Sequence, residues 1–374
     1  MTTVTDIKHT VLHAKHEQLG ANFTDFGGWD MPLRYGSELA EHKAVRSTAG
    51  LFDLSHMGEV WVSGPQAATA LNTALAGNLG VVKLGKAKYS LILNEAGGIL
   101  DDLIVYRLEE EKFLVVPNAG NAALVARELA ERAKGFDATV QDVTAETSLI
   151  AVQGPNAQAI VKALAADEAG ASVVEEMKYY SAARLALGGV DTILARTGYT
   201  GEDGFELIIA NEDAEGLWEQ IVQIGKDHEL VPCGLAARDS LRLEAGMPLY
   251  GNELSTERNP FEANLGPVVS FKKEENFIGR QALEEVRANG TARKLVGLKG
   301  LGKRAGRAGY PILKDGQVIG EITSGLPSPT LGYPVALGYV DVAHSEVGTQ
   351  LEVELRGKTL PFEVVELPFY TRAK

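Results

Sequence analysis

The chain of 374 residues carries a single cysteine, Cys233, so no internal disulfide forms, and a reducing compartment fits it better than secretion. Apolar runs of membrane-spanning length are missing. From Met1 to Gly20, charges and histidines alternate with apolar residues and leave no hydrophobic signal-peptide core. Basic charge is also short: 36 Lys and Arg face 50 Asp and Glu, a formal charge of -14. That balance argues against a general nucleic-acid or anionic-membrane binder, though not against local basic patches. A cytoplasmic location is the expectation.

What is present is ordinary globular material, 45% hydrophobic and 23% charged, with 41 glycines that imply many tight turns. The length exceeds what one core organises, so two or three domains are expected. Three helices are read near the start, at 6–18, 37–48 and 65–76, the last opened by Pro65. Strand-like runs follow at Glu59–Val62, Tyr89–Leu93, Leu103–Leu108 and Phe113–Val116. Helices and strands are mixed without strict alternation, which indicates an α+β fold with antiparallel pairing. Further helices are read at 212–228, 234–246 and 277–288. After Leu295 short strands around Val318–Ile322, Val335–Val340, Leu351–Leu355 and Phe362–Val365 indicate a small antiparallel barrel or sandwich. One echo recurs: Val62-Ser-Gly-Pro-Gln-Ala67 and Val152-Gln-Gly-Pro-Asn-Ala157. A duplicated unit explains it, and so does the value of Gly-Pro as a strand-to-helix punctuator.

Some apparent signals carry little. Gly297-Leu-Lys-Gly-Leu-Gly-Lys-Arg304 resembles a phosphate-binding loop, but Arg304 stands where a magnesium-ligating Ser or Thr belongs. His13 and His16 share a helix face without further ligands at metal-binding spacing and read as surface residues. Cys233, between Pro232 and Gly234, reads as a buried structural thiol.

Two constellations carry more. Asp101 and Asp102 follow Gly97-Gly-Ile-Leu100 at the start of a strand, where neighbouring side chains point to opposite faces, so at most one faces a given site. A turn aspartate satisfying backbone amides is the competing reading. Thr197-Gly-Tyr-Thr-Gly-Glu-Asp-Gly-Phe-Glu206 packs three glycines and three acids into a loop feeding the strand Phe205–Ile209. Its glycines permit close approach of backbone to a ligand, and Glu206 enters the strand as a carboxylate that needs a partner. Arg238 and Arg242, on one face of the helix 234–246, are suited to hold an anion or that carboxylate, or else to lie solvated.

Taken with Phe26-Gly-Gly-Trp-Asp-Met-Pro32, Leu54-Ser-His-Met-Gly-Glu59, Pro232–Gly251, Thr323–Leu331 and Pro368-Phe-Tyr370, these blocks occur in an order that resembles the aminomethyltransferase, or T-protein, family of the glycine cleavage system. The resemblance covers essentially the whole chain. It implies a three-lobed α+β folate-binding fold with a C-terminal antiparallel β-barrel: residues 1–285 as a catalytic region of two intertwined lobes and residues 286–374 as the barrel domain. It also implies tetrahydrofolate as co-substrate, no metal, and the lipoylated H protein as partner, whose aminomethyl group yields ammonia and 5,10-methylenetetrahydrofolate. By the same resemblance Asp101 is the central catalytic acid, Glu206 the pteridine-binding carboxylate and Arg238 the folate-site arginine. Met57, Tyr89, Asn118, Tyr180 and Tyr199 match folate contacts, and Arg372 matches a functional arginine near the C-terminus. Related folate enzymes share the fold, but the demethylases depart from the acid pattern that Asp101 retains, and flavin-linked oxidoreductases carry a domain for which this chain has no room. The Lys-Gly-Cys-Tyr-type signature of folate-binding iron–sulfur assembly factors is absent; Cys233 stands in Pro-Cys-Gly-Leu. H proteins are acidic by the same resemblance, so an encounter with this acidic chain calls for a local basic patch. From Val286 to Leu313 there is no Asp or Glu, while Arg287, Arg293, Lys294, Lys299, Lys303, Arg304 and Arg307 are all positive.

Overall fold

The structure, a computed structural model, describes residues 7–373. The chain divides into two compact units, one built from residues up to Ala68 with Val81–Lys88 and Ile104–Asp239, the other from Thr69–Gly80, Tyr89–Leu103 and Ser240 onward.

In the first unit a six-stranded sheet runs in the order Ala182–Leu187, Val190–Ala195, Gly204–Ala210, Thr147–Gln153, Ala49–Asp53, Leu230–Pro232. All neighbours are antiparallel except the last pair. Thr147–Gln153 is buried at every residue after the first, as a central strand covered on both faces must be. The helix Ala214–Gly225 buries Ala214, Leu217, Trp218 and Ile221, a helical stripe that packs with Ile150, Val152, Leu207 and Ile209 of the sheet.

A second sheet has the order Lys86–Leu93, Ile99–Glu109, Lys112–Pro117, Val60–Ser63, Thr139–Asp142, its first two strands passing from one unit into the other partway along. In the second unit Arg293–Gly300, Pro334–Asp341, Gln317–Pro327, Pro311–Lys314, Gln350–Leu355 and Lys358–Val365 close into a barrel, with every pair antiparallel. Its interior is filled by Leu298, Ile312, Ile322, Val353 and Phe362. The expected small β domain is therefore a barrel and not a sandwich. No helix among the described residues is long and apolar enough to cross a membrane.

The two Gly-Pro echoes fold alike. Gly64 and Gly154 end their strands at φ 127 and 126, a region open only to glycine, and each carbonyl accepts from the first helical amide, Ala67 or Ala157. A Cβ on Gly154 would lie 2.7 Å from Thr48 O, so its conformation and its surroundings both demand glycine.

The N-terminal reading needs correction. Of the expected helix 6–18, residue 6 lies outside the described residues and only His13–Gln18 is helical. Lys8 is drawn out alongside Trp29, its amide donating to Gly28 O and its carbonyl accepting from Asp30 N, because the hairpin Asn22–Phe26/Trp29–Arg34 offers an open edge. Nor are the histidines at the surface. His16 is fully buried, with Nε2 2.9 Å from Asp53 Oδ2 and Nδ1 2.8 Å from Tyr35 Oη. Burial pushes the Asp53 carboxyl up, but His16, Ser55 and Thr10 outweigh it and hold the group below its ordinary range.

Glu59 is the opposite case. It is fully buried, Thr147 Oγ1 donates to its Oε2 at 3.0 Å, and Oε1 has no hydrogen-bond partner among the described residues. Burial first, against the Thr147 hydrogen bond and with help from Asp142, pushes its carboxyl up to about 8. A raised folded-state value means the contribution to stability is complete below the ordinary carboxylate range and is lost as pH rises through about 8. Glu59→Gln keeps the shape without the ionisation. Thermal unfolding should give similar midpoints for the two proteins near about pH 4 and a higher midpoint for the variant near about pH 9. Parallel declines of both proteins over that interval would show that Glu59 does not titrate there.

Candidate functional site

In the first unit the site builds outward from the strand Gly204–Ala210. Phe205 and Leu207 are fully buried, and Glu206 between them is left half-buried on the opposite face. The two acids before it in the block are matched to arginines: Glu202 to Arg46 at 3.0 Å, and Asp203 to Nε and one terminal nitrogen of the Arg196 guanidinium. Glu206 is met by hydroxyls instead. Thr197 Oγ1 donates to Oε2, Tyr106 Oη reaches the same oxygen at 3.4 Å, and the two hydroxyls lie 3.0 Å apart. Burial, then the Glu206 charge, hold the Tyr106 phenol well above its ordinary range, so it stays protonated. Oε1 of Glu206 accepts no hydrogen bond among the described residues. A carboxylate has about four acceptor positions, so this one retains capacity for two further donors.

Two of the loop glycines have a cause inside the fold. A Cβ on Gly198 or Gly204 would fall 2.0 or 2.3 Å from the Gln153 side chain, so both make room for it. Gln153 Nε2 donates to Thr197 O at 3.1 Å and its Oε1 accepts from Thr200 Oγ1 at 2.9 Å. Gly201 supplies the turn at φ 80.

Arg238 stands close enough to Glu206 for the carboxylate charge to support the guanidinium against the lowering effect of burial, and its fork lies 4.8 Å from the Tyr199 ring centre. His56 is a neighbour that the sequence reading passed over. Burial and then the Arg238 charge push its imidazole down to about 4, so it is neutral near pH 7, and its Nδ1 has no hydrogen-bond partner among the described residues. Tyr106 and Thr197 were likewise missed as partners of Glu206; the one signal for His56 was its place before Met57 in Leu54–Glu59. Met57, Asn118, Tyr180 and Tyr199 are all half-buried residues of this unit. Tyr180 holds φ 61, rare for a tyrosine, with its amide donating to Arg196 O and its carbonyl accepting from Ala87 N.

Arg242 does not join Arg238. It is fully buried in the second unit, where it donates to Glu253 Oε2 at 3.0 Å and Ser324 Oγ at 2.8 Å, a structural role.

Also in the second unit, the turn before Ile99–Glu109 is fixed by Asn94, whose Oδ1 accepts from Gly98 N at 2.8 Å. A Cβ on Gly98 would stand 1.9 Å from Thr256 O. The strand then alternates. Ile99, Asp101 and Leu103 are buried, and Asp102 faces the other way, accepting from Tyr89 Oη at 2.9 Å. Tyr250 feels both acids: burial first, then the charges of Asp101 and Asp102, raise its phenol. Arg372 lies half-buried near the C-terminus.

On the barrel a cavity of about 620 Å³ is lined by Lys303, Arg304 and Arg307, with Arg356 added from the turn between the last two strands and Lys358 from the start of the last strand. Gly297–Gly300 belongs to a barrel strand and no helix follows it, so the phosphate-loop likeness has no structural counterpart. Cys233 is buried, as expected, and burial raises its thiol well above the ordinary range.

These arrangements have counterparts in known proteins. Residues 12–273 match the GCVT N-terminal domain, and residues 293–371 match the glycine cleavage T-protein C-terminal barrel domain. The chain is 55% identical to an aminomethyltransferase of Streptomyces coelicolor over 99% of both chains, and 40% identical to one of Bacillus cereus over 98% of this chain and 99% of the other. The crystal structure of glycine cleavage system aminomethyltransferase T from Bartonella henselae superposes with a TM-score of 0.90 at 40% identity, covering 97% of this chain and 98% of that one. With both domain models matched in order and relatives aligned from end to end, the chain belongs to the glycine cleavage T-protein family of aminomethyltransferases.

Proposed function

We propose that this protein transfers the methylene carbon of an aminomethyl group, carried on the lipoyl arm of H protein, to tetrahydrofolate, releasing ammonia and giving 5,10-methylenetetrahydrofolate and dihydrolipoyl H protein. Its proposed location is the cytoplasm, with residues 1–285 as the catalytic region and 286–374 as the barrel domain. The observation that carries the reading is Glu206: in a loop whose other acids are matched to arginines, it alone is held by hydroxyls on one oxygen and retains the other. Ammonia release from aminomethylated H protein, measured with and without tetrahydrofolate, tests the activity; release that is indifferent to the folate would overturn it.

Tetrahydrofolate supplies the nitrogen nucleophile that takes up the carbon. Glu206 accepts the pair of donors along a pteridine edge, and its Tyr106 and Thr197 bonds keep the carboxylate aimed. Arg238, with Tyr199 beneath its fork, adds a fixed cation, while neutral His56 contributes an apolar edge without competing charge. Met57, Tyr89, Asn118, Tyr180, Tyr199 and Arg372 complete the proposed binding set. Asp101 is the proposed catalytic acid. Positive charge develops as ammonia and thiol depart, and a carboxylate held away from water stabilises it without reorganisation. None of these steps calls for a metal ion.

Asp101→Asn should leave the fold intact and reduce turnover on the order of a hundredfold or more, the scale typical of preorganised electrostatic groups. Circular dichroism and steady-state ammonia release check the two halves of that statement, and an equal loss on changing Asp102 would reverse the assignment.

Glu206→Gln should weaken tetrahydrofolate binding by roughly 1.5–3 kcal/mol, because an amide replaces a charged acceptor with a donor. Calorimetric titration with the folate gives the number directly. Unchanged affinity removes Glu206 from the site.

The basic cavity of the barrel is the proposed landing place for H protein. Lys303, Arg304 and Arg307 are exposed, so they act on encounter and are screened within about 10 Å at 0.1 M salt. Neutralising all three should raise the apparent KM for H protein and flatten its salt dependence while leaving folate affinity alone. Stopped-flow association across a salt series reads this out; a triple variant with the wild-type rate and slope places the H-protein surface elsewhere.

A further inference from the structure

Away from the residues assigned above, three side chains of metal-binding type meet near the N-terminus. The ligand atoms of His9, His13 and Asp30 all lie within 4.8 Å of one another. His13 Nε2 is 2.9 Å from Asp30 Oδ2, and the His9 and His13 rings stack with centroids 3.8 Å apart. We propose that these three residues form a binding site for a borderline divalent cation of the zinc, cobalt or nickel type, which fastens the N-terminal segment to the first hairpin.

The donor set selects this class of ion. Two imidazole nitrogens and one carboxylate oxygen suit zinc and its neighbours better than magnesium or calcium, which prefer all-oxygen shells. The geometry is within reach. Nitrogen and oxygen ligands at about 2.0–2.1 Å from a tetrahedral zinc lie roughly 3.3 Å apart, so the His13–Asp30 pair opens slightly and exposed His9 swings in. Three protein ligands leave a position for water.

The backbone is already fixed where the site needs it. Lys8 N donates to Gly28 O at 2.9 Å and Asp30 N donates to Lys8 O at 2.8 Å, which sets His9 beside the strand that carries Asp30. His13 is the first residue of the helix His13–Gln18, and its ring is packed on Phe23 at 4.6 Å between centroids. Its other nitrogen, Nδ1, faces Glu17 Oε2 at 4.0 Å, the place where a metal-bound imidazole ordinarily finds a carboxylate to orient it. The ligands thus come from a pinned extended segment, a helix and a strand. In the unfolded chain only His9 and His13 are near each other in sequence, so a bound ion stabilises the folded arrangement.

The experiment uses the full chain without a histidine tag, stripped of metal by chelation. Co2+ is added while the visible d–d bands are recorded, Zn2+ binding is followed by calorimetry, and thermal unfolding is measured with and without Zn2+. One equivalent of ion should bind, with tetrahedral-type cobalt absorption and a raised unfolding midpoint. His9→Ala, at an exposed position, and Asp30→Asn should each weaken binding at least tenfold and abolish the zinc-dependent rise in midpoint. Absence of stoichiometric binding by the wild-type chain, or binding that survives both substitutions unchanged, overturns the proposal. Because the readouts are binding and stability, they stand apart from the transferase reaction.

Discussion

The buried amide of Gln153 is the constraint on which the Glu206 region depends. It ends the central strand Thr147–Gln153, is 2% exposed, and must satisfy both its donor and its acceptor without water. It does so by gripping Thr197 O on one side and Thr200 Oγ1 on the other, in a space that exists because Gly198 and Gly204 lack side chains. That grip sets Thr197, whose hydroxyl in turn sets Glu206. Arg46, donating to Thr200 O at 2.7 Å and to Glu202, closes the far end of the loop. The carboxylate is therefore aimed by a chain of buried polar contacts, each satisfied by the next. A partly satisfied network of this kind is worse than an apolar one, so the loop sequence has little freedom.

The second unit is held by the same logic with different residues. Arg242 and Glu253 are both fully buried, and Ser324 completes the guanidinium. Two residues along the helix Leu235–Glu244 from Arg242, Glu244 accepts from Ser328 and Thr330 hydroxyls and from Thr330 N. The blocks Pro232–Gly251 and Thr323–Leu331, far apart in the chain, are thus joined at two places by polar contacts. Removing either partner of such a pair strands a charge in a low-dielectric interior, a loss of several kcal/mol by analogy with other buried pairs.

This pairing explains what could be read from the residues alone. Strand and helix positions followed from periodicity wherever one face is buried: Ala214–Gly225 and the barrel strands lie close to where they were expected. The helix at 6–18 failed because its alternation of polar and apolar residues reflects contact with the hairpin edge and the buried Asp53, partners that no local window contains. Glycine spacing at 198–204 was legible as a constraint, but its cause was Gln153, more than forty residues earlier. The arginines could not be separated by helical spacing, since Arg238 and Arg242 share a face; what separates them is Glu253, which claims Arg242. His56 was illegible for a related reason. An imidazole becomes an apolar edge only when burial and a nearby guanidinium both oppose its charging.

The acids follow a rule that composition cannot express. A chain with 50 acidic residues and 36 basic ones leaves many carboxylates in water, where they mean little. Inside, burial makes the partner of each one count. Glu202, Asp203 and Glu253 have guanidinium partners, which neutralise them and use up the forks they face. Glu206 is held by neutral hydroxyls, which orient a carboxylate without cancelling its charge and leave acceptor positions open. On the strand Ile99–Glu109 the pleat divides two adjacent aspartates in the same spirit: Asp102 takes the Tyr89 hydroxyl on one face, and Asp101 is carried to the buried face, where the low dielectric makes its charge count for more.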